Sequence, residues 1–367
     1  MDKISKIILF AIPMTICNLR CRYCYLTQRD KFCTGEQIKY EYSPEHFAKA
    51  ISKERIGGIA YANFCADGET LLVKDIDKYI YAYVSQGHYA EIVTNLTITS
   101  VLDKILKWDD DILSRITFKC SFHYIQLKER NLLDVFAQNV NKIWARGCSA
   151  NIEMLPDDEL IPYIEEIKEF SIKNFGALPH LTIARDDKNE RSYLTSLSID
   201  EYDKIWGQFD SDFWKFKKTI INVKREEYCC AGKWSLQVNL ATGRTSQCYM
   251  SDYDQNIFED LDKPIKFVAI GKCKDYHCYN GHALLTLGCI PNITDVRYGN
   301  IRDRIRPDGS HWIQENMRSF LNSQLVETHG TPTDKEKKKD AKIIKMRKVM
   351  RFPRKCIGFV ARHLKIK

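Results

Sequence analysis

The period of the apolar positions changes along the chain and divides it. Through the first 185 residues, short apolar runs alternate with longer stretches in which apolar residues recur every three or four positions. The short runs 6–12, 58–64, 90–94, 115–121, 149–154 and 180–184 are read as strands. Between them the helical period predicts helices over 44–53, 74–86, 100–108, 127–146 and 158–174. The first has a well-formed start, with Ser43 as N-cap, Pro44 at the first helical position and Glu45 in the first turn. Strict βα alternation implies a parallel sheet with helices over its outer face. From about 186 to 225 the alternation gives way to a polar, aromatic-rich helical linker. Beyond it, 235–239 alternates as a strand and Ala241-Thr242-Gly243 reads as a hairpin turn.

With 367 residues, 44% of them hydrophobic, the chain can bury a substantial core and holds one large unit and a smaller one. Its 14 cysteines are therefore not needed as disulfide staples. That number would suit a secreted scaffold only in a much shorter chain, so metal ligation in a reducing compartment is the reading. Lys3 and Lys6 before an apolar run superficially resemble a secretory signal. Pro13 interrupts that run, and Met14, Thr15 and Ile16 are not the small residues of a cleavage site. No stretch approaches the 18 or so apolar residues of a spanning helix, and a cytoplasmic location is expected.

The net charge of +8 hides an asymmetry. Residues 331–367 carry 14 Lys and Arg against 3 Asp and Glu, a surplus of +11, so the preceding 330 residues carry −3. Within this segment Ile343, Met346, Met350, Cys356, Phe359 or Val360, and Leu364 recur near helical spacing, and Pro353 breaks the run. Two readings stay open: a basic amphipathic helix held peripherally at an anionic membrane surface or on a polyanionic partner, and a solvated disordered tail. Without an aromatic platform, nucleic acid is not the expected partner.

The chemistry is concentrated in Cys17-Asn-Leu-Arg-Cys21-Arg-Tyr23-Cys24, which puts three thiols on one loop just after the first strand. Iron–sulfur clusters usually take four cysteines, so three can hold a [4Fe–4S] cluster while leaving one iron for a non-protein ligand. Structural zinc would want a fourth Cys or His nearby, which the next residues do not supply. The spacing C-x3-C-x-aromatic-C, after a strand and ahead of further βα units, resembles the radical S-adenosylmethionine enzymes. The resemblance implies a partial (β/α)6 TIM-like barrel over 1–185 and S-adenosylmethionine bound to the free iron through its amino and carboxylate groups. Tyr23 is counted with the cofactor residues. Asp67-Gly68-Glu69-Thr70 resembles the family's Gly-Gly-Glu-Pro motif, keeping the Gly and the Glu that accept from the cofactor's ammonium. Asn95 and Ser121, at the ends of the third and fourth strands, correspond to positions that contact ribose and carboxylate. His123 is read as a strand cap. Glu153 and Arg185 are expected inside the barrel, where a buried charge needs a partner.

A second cysteine group follows: Cys229-Cys230, Gly243-x4-Cys248, Cys273-x4-Cys278 and Cys289. Cys230-x12-Gly243-x4-Cys248 resembles the first half of the SPASM module, whereas the second half departs from it. The closer likeness is the smaller twitch-type module with one auxiliary [4Fe–4S] cluster. The resemblance implies a smaller α+β cysteine-rich domain over 226–330 with Cys230, Cys248, Cys273 and Cys278 as ligands. Cys229 can stand in for Cys230, and Cys289 for either downstream ligand. A zinc ribbon would need shorter gaps. Cys33, Cys65, Cys120 and Cys148 lack ligand spacing and read as buried small apolar residues, with Cys65 also a candidate spare thiol beside the cofactor motif.

On this resemblance the chain cleaves S-adenosylmethionine reductively to a 5′-deoxyadenosyl radical that takes hydrogen from a substrate, in a net oxidation or modification. It implies an electron donor such as flavodoxin or ferredoxin, and a peptide, protein or sugar-type substrate. Sixteen residues precede Cys17, too few for a leader-binding domain ahead of it, which weighs against peptide maturation. The competing reading is a non-catalytic iron–sulfur electron carrier or redox sensor, which would need neither an open iron nor Glu69.

Overall fold

The computed structural model describes residues 2–32, 35–189, 192–249, 251–252, 254–275, 277–278 and 280–347. Six parallel strands lie side by side in chain order: β1 (Lys6–Ile12), β2 (Ala60–Ala66), β3 (Tyr89–Thr94), β4 (Ile116–Ser121), β5 (Ser149–Met154) and β6 (His180–Leu181). This is the expected α/β architecture and the strand order of a partial (β/α)6 barrel. Ile8, Phe10 and Ile12 of β1, with Phe64, Ile92, Phe118 and Ile152, face the helices in the main hydrophobic core. Successive side chains alternate across a strand, so Asn63, Glu91, Lys119 and Glu153 share the opposite, inner face.

Several element ends move for local reasons. The strand expected at 58–64 starts only at Ala60, because Gly57 and Gly58 turn there with φ of 84° and 125°. The helix expected over 127–146 is two helices, Tyr124–Glu129 and Leu133–Ala145, separated by Asn131 at φ 56°. Pro162 confines 158–163 to a 3-10 turn, and the α-helix begins at Ile164. The linker carries helices Ile199–Trp206 and Asp212–Ile220, the first opened by a capping box of Ser198 and Glu201.

The cysteine-rich region does not stand apart from the barrel. Its strands are β7 (Tyr228–Cys229), β8 (Ser235–Asn239), β9 (Arg244–Ser246), β10 (Gln255–Asn256) and β11 (Gly271–Lys272). The expected hairpin forms as β8 and β9, turning at Gly243, but β8 also pairs in parallel with β1, from Ile7 opposite Ser235 to Ala11 opposite Asn239. The hairpin thus covers the free edge of β1 and makes one sheet of nine strands, in which β10 is the edge strand beyond it. Helices Gly281–Thr286 and Glu315–Asn322 then pack on the inner face near the start of the strands, where Tyr89 stacks on Phe320 with ring centroids 3.7 Å apart. Among the described residues, no helix is long and apolar enough to cross a membrane. Residues 334–347 are helical, and the tail positions from Met350 to Leu364 lie outside the described residues.

Candidate active site

The C-terminal ends of parallel strands gather at one edge of the sheet, and the triple-cysteine loop leaves β1 there. The segment after β2 is laced to it by backbone hydrogen bonds: Asp67 N donates to Ile12 O (3.1 Å), Gly68 N to Met14 O (2.7 Å) and Glu69 N to Ile16 O (2.9 Å). The approach is so close that a Cβ on Gly68 would stand 2.1 Å from the Ile16 carbonyl oxygen, so only glycine fits. Arg22 anchors the other side of the loop, its guanidinium bonding both carboxylate oxygens of Asp157 at 2.6 and 2.7 Å.

Cys17, Cys21 and Cys24 face a concavity of about 90 Å³ shared with Asp67, Gly68, Glu69, Asn95, Ser121 and His123. Burial raises the pKa of all three thiols, that of Cys21 to about 12. Glu69 is buried, and its carboxylate accepts from Leu71 N (2.9 Å), Thr94 Oγ1 (2.5 Å) and Asn95 N (2.7 Å). A carboxylate has about four acceptor positions, so one remains for a further donor. Asn95 extends its side-chain amide to Asn18 Oδ1 at 2.9 Å and lies 3.9 Å from Cys17 Sγ. Asp67 offers its carbonyl to the Tyr25 hydroxyl at 2.6 Å, and burial raises the pKa of its own carboxyl group.

Two residues counted with the cofactor group are placed differently. Thr70 is buried and its hydroxyl accepts from Ala66 N at 3.0 Å, so it closes the turn and does not line the concavity. Tyr23 lies behind the loop, with Oη 2.7 Å from His123 Nδ1. His123 itself, read as a cap from sequence, lines the concavity, and burial lowers its pKa to about 4, which keeps the ring neutral near pH 7. Its place beside Ser121, just past a strand end, was the available signal.

Cys65 and Val93 line both this concavity and a larger cavity of about 590 Å³ within the barrel. Asn63, Glu91 and Lys119 supply its polar wall. The charges are paired by one residue from far along the chain: Arg302, 1% exposed, reaches Glu91 at 2.5 Å and Glu153 at 2.6 Å, and Lys119 bonds Glu153 at 2.9 Å. These cations hold the Glu153 carboxyl far below the usual range despite its burial. Arg185 lines the cavity, as expected. Lys217 lies further in and donates to Thr182 Oγ1; burial among Lys119, Arg185 and Arg302 pushes its pKa well down. Sequence periodicity places Lys119 on the inner face but carries no sign of Arg302 or Lys217.

Arg185 and His282 also line a further pocket of about 50 Å³ that ends on Lys217 and Cys278. Shared walls therefore lead from the cysteine loop, through the barrel, to the second cysteine group. There Cys229 and Cys230, adjacent at the end of β7, cannot both face the same way. Cys278, Cys248 and Cys230 are the neighbouring thiols that raise the pKa of Cys229, after burial, and Cys273 and Cys248 act likewise on Cys278. Cys230 instead has Lys233, Asp340 and Glu336 as its charged neighbours. Cys289 is fully buried beside Ser235, at 3.7 Å from its hydroxyl. Among the described residues, no three His, Cys, Asp or Glu side chains stand close enough to share a single metal ion.

Fold and site define a β/α protein with a triple-cysteine loop at the mouth of an internal cavity. No family model matches the chain, and no curated protein is significantly similar to it. Among solved structures, Streptococcus suis SuiB aligns with a TM-score of 0.47 and 15% identity, covering 72% of this chain and 66% of its own. The chain thus spans just under two thirds of SuiB's length. anSMEcpe with bound AdoMet aligns at 0.47 and 15%, over 71% of this chain and 77% of that one. BtrN in complex with AdoMet and 2-DOIA aligns at 0.35 and 16%, over 71% and 81%.

Proposed function

We propose that this chain is a radical S-adenosylmethionine enzyme that oxidises or otherwise modifies a substrate held inside the barrel. The observation that carries the reading is the lacing of the 67–69 segment onto the Cys17–Cys21–Cys24 loop, which puts three thiols, a glycine cradle and the Glu69 carboxylate around one concavity that shares Cys65 and Val93 with the cavity. The donor set fits a three-cysteine [4Fe–4S] cluster with S-adenosylmethionine beside it. When bound, that pair supplies a 5′-deoxyadenosyl radical that abstracts hydrogen from substrate.

The chain's own residues do the rest. Cys17, Cys21 and Cys24 hold iron. Glu69, through its remaining acceptor position, and the Gly68 cradle receive the ammonium of S-adenosylmethionine, with Asn95 and Ser121 lining the approach. The cavity of about 590 Å³ has the size of a small-molecule site and suits a sugar-type molecule or one or two peptide residues. For the auxiliary cluster we assign Cys248, Cys273 and Cys278 together with Cys229, whose neighbours include the Cys248 and Cys278 thiols, whereas the charged neighbours of Cys230 are Lys233, Asp340, Glu336 and Lys337.

The test is anaerobic reconstitution with iron and sulfide, iron counting, and an assay for 5′-deoxyadenosine with a chemical reductant. About eight irons per chain and formation of 5′-deoxyadenosine are expected. About four irons would remove the auxiliary site, and a fully loaded protein that makes no 5′-deoxyadenosine would favour the electron carrier.

A further inference from the structure

The basic segment after residue 331 is neither wholly free nor apolar on its outer face. Its helical part, 334–347, opens with Thr333 and Glu336 in a reciprocal cap: Thr333 N donates to Glu336 Oε2 at 2.9 Å, and Glu336 N to Thr333 Oγ1 at 3.3 Å. Its acidic residues then dock it on the strand that carries the cysteine pair. Asp340 accepts from the Tyr228 hydroxyl at 3.0 Å and lies 3.5 Å from Lys233 Nζ, which also reaches Glu336 at 3.1 Å. At the far end Arg347 pairs with Asp254.

At 100° per residue, Glu336, Asp340, Ile344 and Arg347 fall on the docked side. Lys335, Lys338, Lys339, Lys342 and Lys345, spaced i, i+3, i+4, i+7 and i+10, fall within an arc of roughly 120° on the other side. All five are exposed, and none forms an ion pair among the described residues. Docking takes up Glu336 and Asp340, Asp334 stays exposed and pairs with Lys337, and the five lysines are left as a stripe. Ile343 and Ile344 are half-buried and Met346 is the one large apolar side chain exposed on this helix among the described residues, well short of the broad apolar surface that seats a helix in a bilayer.

We propose that this stripe is the docking surface for an acidic one-electron carrier protein, placed to exchange electrons at the auxiliary cysteine site. The proposal rests on the function assigned above. In a net oxidation the substrate gives up a hydrogen atom, a proton to solvent and one further electron, and a cluster held by the auxiliary cysteines would let that electron reduce the oxidised carrier by one. Tyr228, one residue before Cys229, touches the helix directly, so a carrier on the stripe stands about one helix diameter, ~10 Å, from the cysteine-bearing strand. Complementary charge recruits such a partner quickly and makes its binding salt-dependent.

The experiment titrates the cluster-loaded full chain with a labelled, oxidised flavodoxin of acidic pI, at about 50 and about 300 mM salt. A triple variant, Lys335→Glu, Lys338→Glu and Lys342→Glu, is compared with a control triple of equal charge change elsewhere: Lys107→Glu, Lys173→Glu and Lys204→Glu. The expected result is flavodoxin binding weakened about tenfold or more by the stripe triple at low salt, and less than about threefold by the control. Equal weakening by both triples, no flavodoxin binding, or stripe-dependent capture by phosphatidylserine vesicles in place of flavodoxin would overturn the proposal. Formation of 5′-deoxyadenosine with a chemical reductant should be the same in wild type and stripe triple. Its absence from wild type would remove the enzyme reading, while the binding arms would still decide the docking surface.

Discussion

Cys17, Cys21 and Cys24 lie on eight consecutive residues, whereas Cys229, Cys248, Cys273 and Cys278 come from separate segments spread over fifty. The first group needs little more than one loop and a backbone ladder to the next strand's exit. The second, in the ligand set proposed above, would be assembled only when β7 pairs with β11, β8 joins the barrel edge and the helix Gly281–Thr286 packs inward. A site built from one loop keeps its identity in the chain's own spacing. A site built from distant segments has its ligands chosen by the fold.

The largest effect should come from the loop. Cys21→Ala is expected to lower 5′-deoxyadenosine formation by at least about a thousandfold while leaving about four irons on the auxiliary site. Loss of all iron would instead tie the two groups into one cooperative unit. Gly68→Ala comes next: its Cβ would meet the Ile16 carbonyl and push the 67–69 segment off the loop. We expect about a hundredfold loss of 5′-deoxyadenosine formation, since misplacing bound groups by about 1 Å costs that much. Near-normal turnover would show that the lacing does not position the cofactor.

The second group is sharpened by a paired substitution. Cys229→Ser should reduce bound iron from about eight to about four per chain, and Cys230→Ser should leave it unchanged. The reverse pattern would restore the ligand set expected from sequence. The smallest effect concerns stability. Burial holds the pKa of His88 and His123 at about 4 and of His180 at about 3, below the unfolded value near 6.5. The unfolded chain therefore binds more protons between these values, and folding stability is retained above about pH 6.5 and lost as pH falls towards about 4. Each histidine should contribute about 1–3 kcal/mol to that loss, read as a falling Tm between pH 7 and 4. A Tm that holds steady through this range would mean that the rings are already charged in the fold.

Much of the frame was legible. The bounds of β1, β5 and β8 match those read from apolar runs, because burial on a sheet face imposes its period on neighbouring residues. The cysteine loop and the Gly68-Glu69 pair were legible because close chemical contact needs those residue types at short range. Less was visible wherever a partner arrives from afar. Arg302 completes the Glu91 and Glu153 pairs from more than a hundred residues downstream, and no local pattern announces it. His123 was read as a cap because strand-end polar residues usually are, and only the converging strand ends bring it beside Ser121 and the thiols.

The sequence by itself determined the alternating β/α frame, the three-thiol loop and the glutamate beside it, because each depends on spacing within a few residues or on a repeating period. Tertiary structure alone decided that Lys233, Asp340 and Glu336 surround Cys230, that β8 seals the edge of β1, and that the basic segment docks by Glu336 and Asp340 and turns five lysines outward. Those outcomes depend on which surfaces meet across long stretches of chain, and residue spacing carries no record of that choice until burial and charge pairing make it.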